Sequence, residues 1–261
     1  MIADILGTVG SASGCSRMLD AGCGTGSYLL ALSETVARLD GLELNPGMLQ
    51  CARDKLAHRE NVTLHAGSVL AMPFDNMTFD AVLLNQVIHH LDALPHWGNL
   101  RRALIESHRV LRPCGVLIIN TCTQEQVMDG SWYNALIPDA VARLAGRYVP
   151  IETLRALLEE LGFEVCAGRV SHELFFGERY LDPAGPFDKK WRDGDSLWSL
   201  ATAAELESGL GRLQRLHERG EVLEFVRRQD GLRQAVGQCV VLHAYRLETA
   251  ISNGRLLGAD R

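Results

Sequence analysis

The chain has 261 residues, a length that suits one large domain or one domain with an elaboration. Hydrophobic residues make up 47% and charged residues 22% of the chain, which is ordinary for a globular protein and argues against general disorder. The formal net charge of −6 argues against a dedicated binder of nucleic acids or anionic membranes, because such proteins usually present a basic face.

The sequence also bears on location and on metal binding. No apolar run approaches the roughly 20 residues that a membrane helix needs, so we expect no membrane partner. No Lys or Arg precedes Arg17, so the N-terminus lacks the basic start of a secretory signal. The seven cysteines include no Cys-x-x-Cys pair, which argues against a zinc knuckle or a redox motif. We therefore expect reduced thiols, no metal site and a cytoplasmic location.

Short apolar strands alternate with segments of helical periodicity from Arg17 onward. This alternation predicts an α/β fold with a doubly wound, mostly parallel sheet. The predicted strands cover residues 18–21, 41–44, 61–66, 79–85 and 115–120, a sixth that begins at 163, and 238–245. The predicted helices cover residues 27–39, 46–58, 100–110 and 153–161.

Two other parts of the chain differ from this pattern. Residues 1–16 are small and polar and are expected to form a flexible lead-in. Residues 178–236 are polar and helix-prone, with aromatic residues interspersed, so we predict a helical lid inserted between the sixth and seventh strands. Residues 17–177 and 237–249 would then form the core, and residues 250–261 a C-terminal tail.

A glycine-rich loop, DAGCGTG over residues 20–26, joins the first strand to the first helix. Ligands of open α/β sheets bind at such junctions, where glycine lets the backbone approach them closely. The GxGxG spacing is neither the GxGxxG of dinucleotide binders nor a nucleotide P-loop. Glu43, at the end of the second strand, is placed to accept two hydrogen bonds from ribose hydroxyls. The alternative for Glu43 is an exposed carboxylate at a strand end.

Taken together, residues 19–26, Glu43, the strand 79–85 and the RVLRP stretch at 109–113 resemble the class I methyltransferases that use S-adenosylmethionine. The resemblance is strongest to the small-molecule branch that includes quinone-biosynthesis enzymes, and it runs in order over residues 17–166. It implies a seven-stranded sheet with the last strand antiparallel, in agreement with the seven strands read from the pattern. It also implies S-adenosylmethionine as cofactor and S-adenosylhomocysteine as product.

The same resemblance implies roles for individual residues. The methionine part of the cofactor would lie on Asp20, Gly22, Cys23, Gly24 and Gly26, the ribose on Glu43, the adenine against Leu44, Met48, Ser68 and Val69, and the sulfonium near Asn85 and Gln86. Ser68 stands where relatives often have an Asp, so its contact with the adenine amine would be uncharged. Cys114 and Gly115 stand where relatives commonly have two glycines. Relatives also carry a longer segment before the first strand, so here either the predicted lid supplies the whole cover or the chain is a shortened form.

Methyl transfer to a hydroxyl or a protonated amine also needs a base, ideally with a pKa near the working pH. His89 and His90 follow the fourth strand closely, and His172 follows the sixth, so all three are candidate catalytic bases. Each histidine also has a structural alternative, in which it packs or is solvated.

Aromatic residues are candidates for the wall of an acceptor pocket. Trp132 and Tyr133 follow the fifth strand, and Trp191 and Trp198 lie in the predicted lid. Such rings either form an apolar or cation–π wall or pack as an ordinary small core.

The sequence therefore predicts a methyltransferase that moves a methyl group to O, N or S of a small metabolite by in-line displacement. The alternative is a catalytically silent cofactor-binding or regulatory subunit on the same fold. The loop spacing argues against a dehydrogenase. The acidic balance, and NQVI at residues 85–88 in place of a (Asn/Asp)-Pro-Pro-(Tyr/Phe) motif, argue against a nucleic-acid substrate. Cys51, Cys114 and Cys122 do not reproduce the thiol triad of arsenic methyltransferases. The acceptor and the oligomeric state stay open.

Overall fold

The computed structural model describes residues 2–7, 15–91, 97–174 and 177–248. The strands in these ranges are β1 (Arg17–Ala21), β2 (Arg38–Glu43), β3 (Val62–Ala66), β4 (Phe79–Asn85), β5 (Leu111–Thr121), β6 (Phe163–Val165), β7 (Arg169–Ser171) and β8 (Cys239–Arg246). The α-helices are α1 (Ile2–Leu6), α2 (Ser27–Leu32), α3 (Pro46–Leu56), α4 (Gly98–Val110), α5 (Gln124–Asp129), α6 (Pro138–Ala145), α7 (Ile151–Glu160), α8 (Lys189–Arg192), α9 (Ala203–Glu218) and α10 (Val222–Val236). Short 3₁₀ segments cover Ile88–His90, Trp132–Leu136, Gly177–Leu181, Gly185–Phe187 and Ser196–Leu200.

All eight strands form one sheet in the order β3-β2-β1-β4-β5-β8-β6, with β7 also paired to β8. Strands β1 to β5 are parallel, and β8 runs antiparallel to β5, β6 and β7. This arrangement confirms the predicted doubly wound, mostly parallel sheet. The additional strand is β7, which pairs over only three residues, from Arg169 to Ser171. A segment this short carries no readable period, so its partner β8 alone defines it as a strand.

Both faces of the sheet are buried by helices, which explains the near-continuous apolar run of β4. Along β4, Val82 and Leu84 belong to one core cluster, whereas Ala81 and Leu83 belong to another. Successive strand side chains point to opposite faces, so every β4 position from 81 to 84 is fully buried. Helix α1 contributes its buried residues to the second cluster.

The helix predicted over residues 27–39 was wrong in its extent, because α2 ends at Leu32. The hydroxyls of Ser33 and Thr35 donate to the carbonyls of Leu30 and Leu32, at 2.8 and 3.1 Å, and so compete with further helical hydrogen bonds. Leu39, which fitted the helical spacing, is instead a buried β2 residue that pairs with β3.

Strand β5 begins at Leu111, before the predicted position, and includes the segment where relatives carry two glycines. Cys114 there has a φ of 60°, the left-handed backbone that favours glycine. Gly115 is close-packed, since a Cβ there would lie 2.9 Å from the carbonyl oxygen of Arg112. The turn is therefore retained, with a cysteine in the left-handed position.

A third hydrophobic cluster forms a cap over the carboxyl ends of the strands. We use "the cap" for residues 124–145 and 177–236 together, because buried side chains from both segments share this cluster. The backbone N–H of Trp132 donates to the hydroxyl of Tyr180 at 3.1 Å, which joins the two segments. Residues 177–236 are thus largely helical and pack with the connection after β5, and their role as a lid stays a prediction.

Residues 8–14 of the predicted lead-in and the tail at 250–261 lie outside the described residues. Residues 2–6 of the lead-in form α1 with buried apolar side chains, where the sequence predicted a flexible segment. None of the helices in the described ranges combines the length and the apolarity that crossing a bilayer requires.

Candidate active site

The glycine loop after β1 has a backbone that only glycine adopts easily. The φ angles of Gly22, Gly24 and Gly26 are 89°, 55° and 76°. A Cβ on Gly22 would lie 2.5 Å from a methyl carbon of Val87, whereas a Cβ on Gly24 would meet nothing within 4 Å. Gly24 therefore leaves open space above the loop, which is the cradle that a close-lying ligand needs.

Glu43 holds this loop in place. Its Oε2 accepts a hydrogen bond from the backbone N–H of Gly24 at 2.9 Å, and its Oε1 accepts one from Asn45 at 2.7 Å. Each carboxylate oxygen keeps acceptor capacity, because it can take more than one hydrogen bond. Glu43 is thus buried at the strand end, unlike the exposed carboxylate of the alternative.

Asp20 lies behind the loop and does not line the cavity. It is 2% exposed, and its Oδ1 has no hydrogen-bond partner among the described residues. Burial and the nearby charge of Glu43 raise the pKa of Asp20 from 3.8 to about 7. The structure therefore does not bring this predicted cofactor-binding residue to the cavity wall.

A cavity of about 890 Å³ opens over the glycine loop and the ends of β2, β3 and β4. Its predicted lining residues are Gly22, Cys23, Gly24, Glu43, Leu44, Met48, Ser68, Val69, Asn85 and Gln86. Gly26 does not line it, because that residue faces α3, where a Cβ would lie 2.7 Å from Leu56. Leu44 and Met48 are 71% and 48% exposed, so they present an uncovered apolar edge to the cavity.

Thr25, inside the predicted glycine loop, also lines the cavity. Sequence reasoning missed several other lining residues, namely Ser27, Tyr28, Leu42, Asn45, Gly67, Leu70, Val87 and Leu91. Most of them adjoin a predicted residue in the chain, so proximity to the motif was the available signal. Tyr28 is the exception, since only the turn from the loop into α2 brings it to the cavity.

A second cavity, of about 300 Å³, lies between the strand ends and the cap. Gln86 and His90 line both cavities, so the end of β4 is their common wall. Gln86 has a φ of 54°, and its backbone N–H donates to the carbonyl of Asn120 at 2.8 Å. The backbone therefore changes direction at Gln86, directly after β4, where the two cavities meet.

The structure separates the three candidate histidines. His89 lines the second cavity, is buried and stacks on Tyr148 with ring centroids 4.4 Å apart. Burial lowers the pKa of His89 to about 3, together with the nearby His90 and the charge of Arg147. Burial and the charge of Arg147 also lower the pKa of His90. His172 is exposed and lines neither cavity, so the structure does not bring it to the site.

The aromatic residues of the cap mostly form its core. Trp132 is fully buried and donates its indole N–H to the carbonyl of Tyr180 at 2.6 Å. Trp191 and Trp198 pack against Tyr133, with ring centroids at 5.2 and 5.7 Å. Only Tyr133 of the four predicted aromatic residues lines the second cavity. Tyr148, Asp195 and Gln238 line it too, and no sequence motif marked them.

Comparisons with known proteins agree with this geometry. Residues 19–119 match the model of a family described as a methyltransferase domain. Over these residues the chain carries a methyltransferase domain. Such domains use S-adenosylmethionine as methyl donor, and the residues present fit it. Gly24 leaves room for a ligand, Glu43 offers a carboxylate at the cavity wall, and Leu44 and Met48 leave apolar surface to be covered.

Curated relatives resemble the methyltransferase domain over part of their length. The chain is 34% identical to the demethylmenaquinone methyltransferase of Staphylococcus epidermidis over 106 residues, which are 40% of this chain and 42% of that protein. It is 29% identical to the enzyme of that name from Tropheryma whipplei over 131 residues, 49% of this chain and 51% of that protein. The chain thus spans about half the length of the curated relatives it matches.

Solved structures share the fold over nearly the whole chain. A proposed methyltransferase from an antibiotic biosynthesis pathway of Anabaena variabilis superposes with a TM-score of 0.72 at 21% identity, covering 94% of this chain and 96% of that one. The [4+2]-cyclase SpnF superposes with a TM-score of 0.55 at 18% identity, covering 94% and 80%. At these identities the likeness establishes the fold, which by itself does not fix the reaction.

Proposed function

We propose that this protein transfers the methyl group of S-adenosylmethionine to O, N or S of a small-molecule acceptor by in-line displacement. One observation carries the proposal: a cavity over the glycine loop and a smaller cavity under the cap share Gln86 and His90. A donor in the first and an acceptor in the second would meet at the end of β4. Holding two reactants in this way is the main contribution that a protein makes to such a reaction.

The larger cavity would hold the cofactor. Glu43 would accept hydrogen bonds from the ribose, Leu44 and Met48 would lie against the adenine, and the Gly24 backbone would lie against the methionine part. When bound, the cofactor supplies a methyl carbon made electrophilic by its sulfonium. The protein residues would orient this group at the end of β4, where the smaller cavity under the cap adjoins the larger one.

His90 is our candidate for the base. It lines both cavities and its lowered pKa keeps the imidazole uncharged at neutral pH, so it can accept a proton from an acceptor. Its partial exposure gives that proton a route to solvent. His89 is a weaker base, because a pKa of about 3 makes its protonated form unfavourable at neutral pH.

A calorimetric titration tests the cofactor. We expect S-adenosylhomocysteine to bind with micromolar affinity and NAD not to bind. Glu43→Gln should weaken binding about tenfold or more, since one hydrogen bond to a charged acceptor contributes about 1.5–3 kcal/mol. Glu34→Gln is the matched control, because Glu34 is an exposed residue paired with Arg59. If the wild type, Glu43→Gln and Glu34→Gln all bind S-adenosylhomocysteine equally, the assignment of Glu43 to the ribose is contradicted.

A panel of small acceptors, with detection of the added methyl mass, then separates an enzyme from the silent-subunit alternative. That alternative predicts binding of S-adenosylhomocysteine without turnover. The demethylmenaquinone named for the curated relatives belongs in this panel as one acceptor among others. A cytoplasmic location and the absence of a nucleic-acid partner stay predictions.

A further inference from the structure

The walls of the smaller cavity carry a single formally charged side chain, Asp195, among the residues that the structure describes. No Lys or Arg is among these lining residues. The other polar groups are neutral amides, hydroxyls, a thiol and the two imidazoles, from Gln86, His89, His90, Cys122, Gln126, Ser131, Tyr133, Asn134, Tyr148, Ser196 and Gln238. The cavity therefore has a net negative wall.

The Asp195 carboxylate is held in a fixed orientation. Its Oδ2 accepts a hydrogen bond from the Tyr133 hydroxyl at 2.8 Å, and its Oδ1 accepts one from the backbone N–H of Leu197 at 2.9 Å. Over the described ranges no Lys, Arg or His forms an ion pair with it. Arg179 borders, with Asp195, a separate cavity of about 20 Å³ and is not paired with the carboxylate. Burial raises the pKa of Asp195, as expected for a carboxylate that lacks a cation.

Two aromatic residues, Tyr133 and Tyr148, line the same cavity. Tyr133 holds the carboxylate through its hydroxyl, and Trp191 and Trp198 pack against the Tyr133 ring, with centroids 5.2 and 5.7 Å away, without lining the cavity. Tyr148 stacks on His89, with ring centroids 4.4 Å apart. Among the lining residues Asp195 therefore has no cationic partner, although the charge of Arg147 reaches His89 and His90 from outside the lining.

Building on the proposed function, we propose that the methyl acceptor is a compact amine, whose protonated form is bound by the Asp195 carboxylate. A volume of about 300 Å³ is at the small end for ligand sites, so the acceptor has about the size of a single substituted ring. An acceptor bearing a carboxylate or a phosphate would face Asp195 without a compensating cation and would be rejected.

The transfer balances for an amine. The bound ammonium loses one proton to the His90 imidazole, which releases it to solvent. The nitrogen lone pair then forms a bond to the methyl carbon of the donor, and the carbon–sulfur bond breaks with its electron pair remaining on sulfur. The products are the protonated N-methylamine and the uncharged thioether of S-adenosylhomocysteine.

Matched ring compounds test this inference without knowledge of the natural acceptor. We would titrate the full chain, with and without saturating S-adenosylhomocysteine, with three sets: benzylamine, 2-phenylethylamine and tyramine; benzyl alcohol, 2-phenylethanol and tyrosol; benzoate, phenylacetate and 4-hydroxyphenylacetate. At least one amine should bind tenfold or more tightly than its alcohol, and the acids should not bind. Asp195→Asn should remove this preference, because an amide offers no charge to the ammonium.

Asp193→Asn is the matched control, since Asp193 is two residues away, pairs with Lys189 at the surface and lines neither cavity. Its amine preference should equal that of the wild type. Equal binding of amines and alcohols, or an unchanged preference in Asp195→Asn, would overturn the amine assignment. Binding of S-adenosylhomocysteine with no amine preference would leave methyl transfer standing and reject only this inference. Amine preference without S-adenosylhomocysteine binding would reject the proposed function instead.

Discussion

At the residue scale, Gly22 is needed for two independent reasons, its positive φ and its contact with Val87. Gly22→Ala should lower the free energy of unfolding by about 1–3 kcal/mol and reduce the affinity for S-adenosylhomocysteine, because either the loop or Val87 must move. Gly231→Ala is the control, since a Cβ on that helical glycine meets nothing within 4 Å. The control should gain up to about 1 kcal/mol. Calorimetry and urea unfolding check both variants, and full affinity in Gly22→Ala would contradict the cradle.

His89 makes stability depend on pH at the same scale. Its pKa is 6.5 in the ordinary state and about 3 in the fold, so the unfolded chain binds the extra proton between these values. The stability it contributes is complete above pH 6.5 and is lost as the pH falls toward 3. By pH 4.5 the loss should reach about 2–3 kcal/mol.

Urea unfolding at pH 7 and pH 4.5 measures this loss. His89→Gln should show a smaller difference between the two pH values than the wild type, whatever its absolute stability. His58→Gln, a change of an exposed histidine, should keep the wild-type difference. Identical differences in all three proteins would mean that His89 is not buried in its uncharged form.

At the scale of elements, the two segments of the cap pack at backbone distance. A Cβ on Gly209 of α9 would lie 2.4 Å from the carbonyl oxygen of Leu136, whereas one on Gly211 has a nearest neighbour at 3.5 Å. Gly209→Ala should therefore cost about 1–3 kcal/mol by overpacking, and Gly211→Ala should stabilise α9 by up to about 1 kcal/mol. Both changes raise helix propensity equally, so opposite shifts in the urea midpoint isolate the close contact.

Arg143 and Glu205 join the same two segments at the surface. The guanidinium donates to both carboxylate oxygens, at 2.9 and 2.6 Å, and lowers the pKa of Glu205 to about 2. Glu205 also completes the capping box that starts α9 at Thr202. One side chain thus helps to begin α9 and also pairs with α6 at the surface.

At the scale of the whole molecule, a ligand that binds only the folded chain must stabilise it. S-adenosylhomocysteine at 100 times its dissociation constant should add about 2.7 kcal/mol. For a chain of this size, that corresponds to a rise in Tm of roughly 5–10 °C. Differential scanning calorimetry at increasing ligand concentration measures this rise, with NAD at equal concentration as control. A Tm that does not depend on S-adenosylhomocysteine would contradict binding to the native state.

The sequence by itself determined the methyltransferase core. The near-continuous apolar run of residues 79–85 predicts β4 to the residue, and the predicted start of the sixth strand at 163 is also correct, because buried strands depend on local side-chain order. The glycine loop with Gly22 and Gly24 likewise indicates a ligand site, because a positive φ is a local property that glycine signals. Glu43 indicates the same site, because a carboxylate at a strand end can also be recognised locally. Residues 33–39 fitted a helical spacing, but α2 ends at Leu32. Leu39 belongs to β2 instead, because it pairs with β3 in the sheet.

Only the tertiary structure decided which residues line the smaller cavity between the strand ends and the cap. Tyr148, Asp195 and Gln238 are far apart in the chain and share no motif, and they line one cavity with Gln86 and Tyr133 because the cap packs over the strand ends. It also places His90 at both cavities and His172 at neither, although each follows a strand in the sequence. Such contacts depend on which distant segments meet, and no local pattern records that.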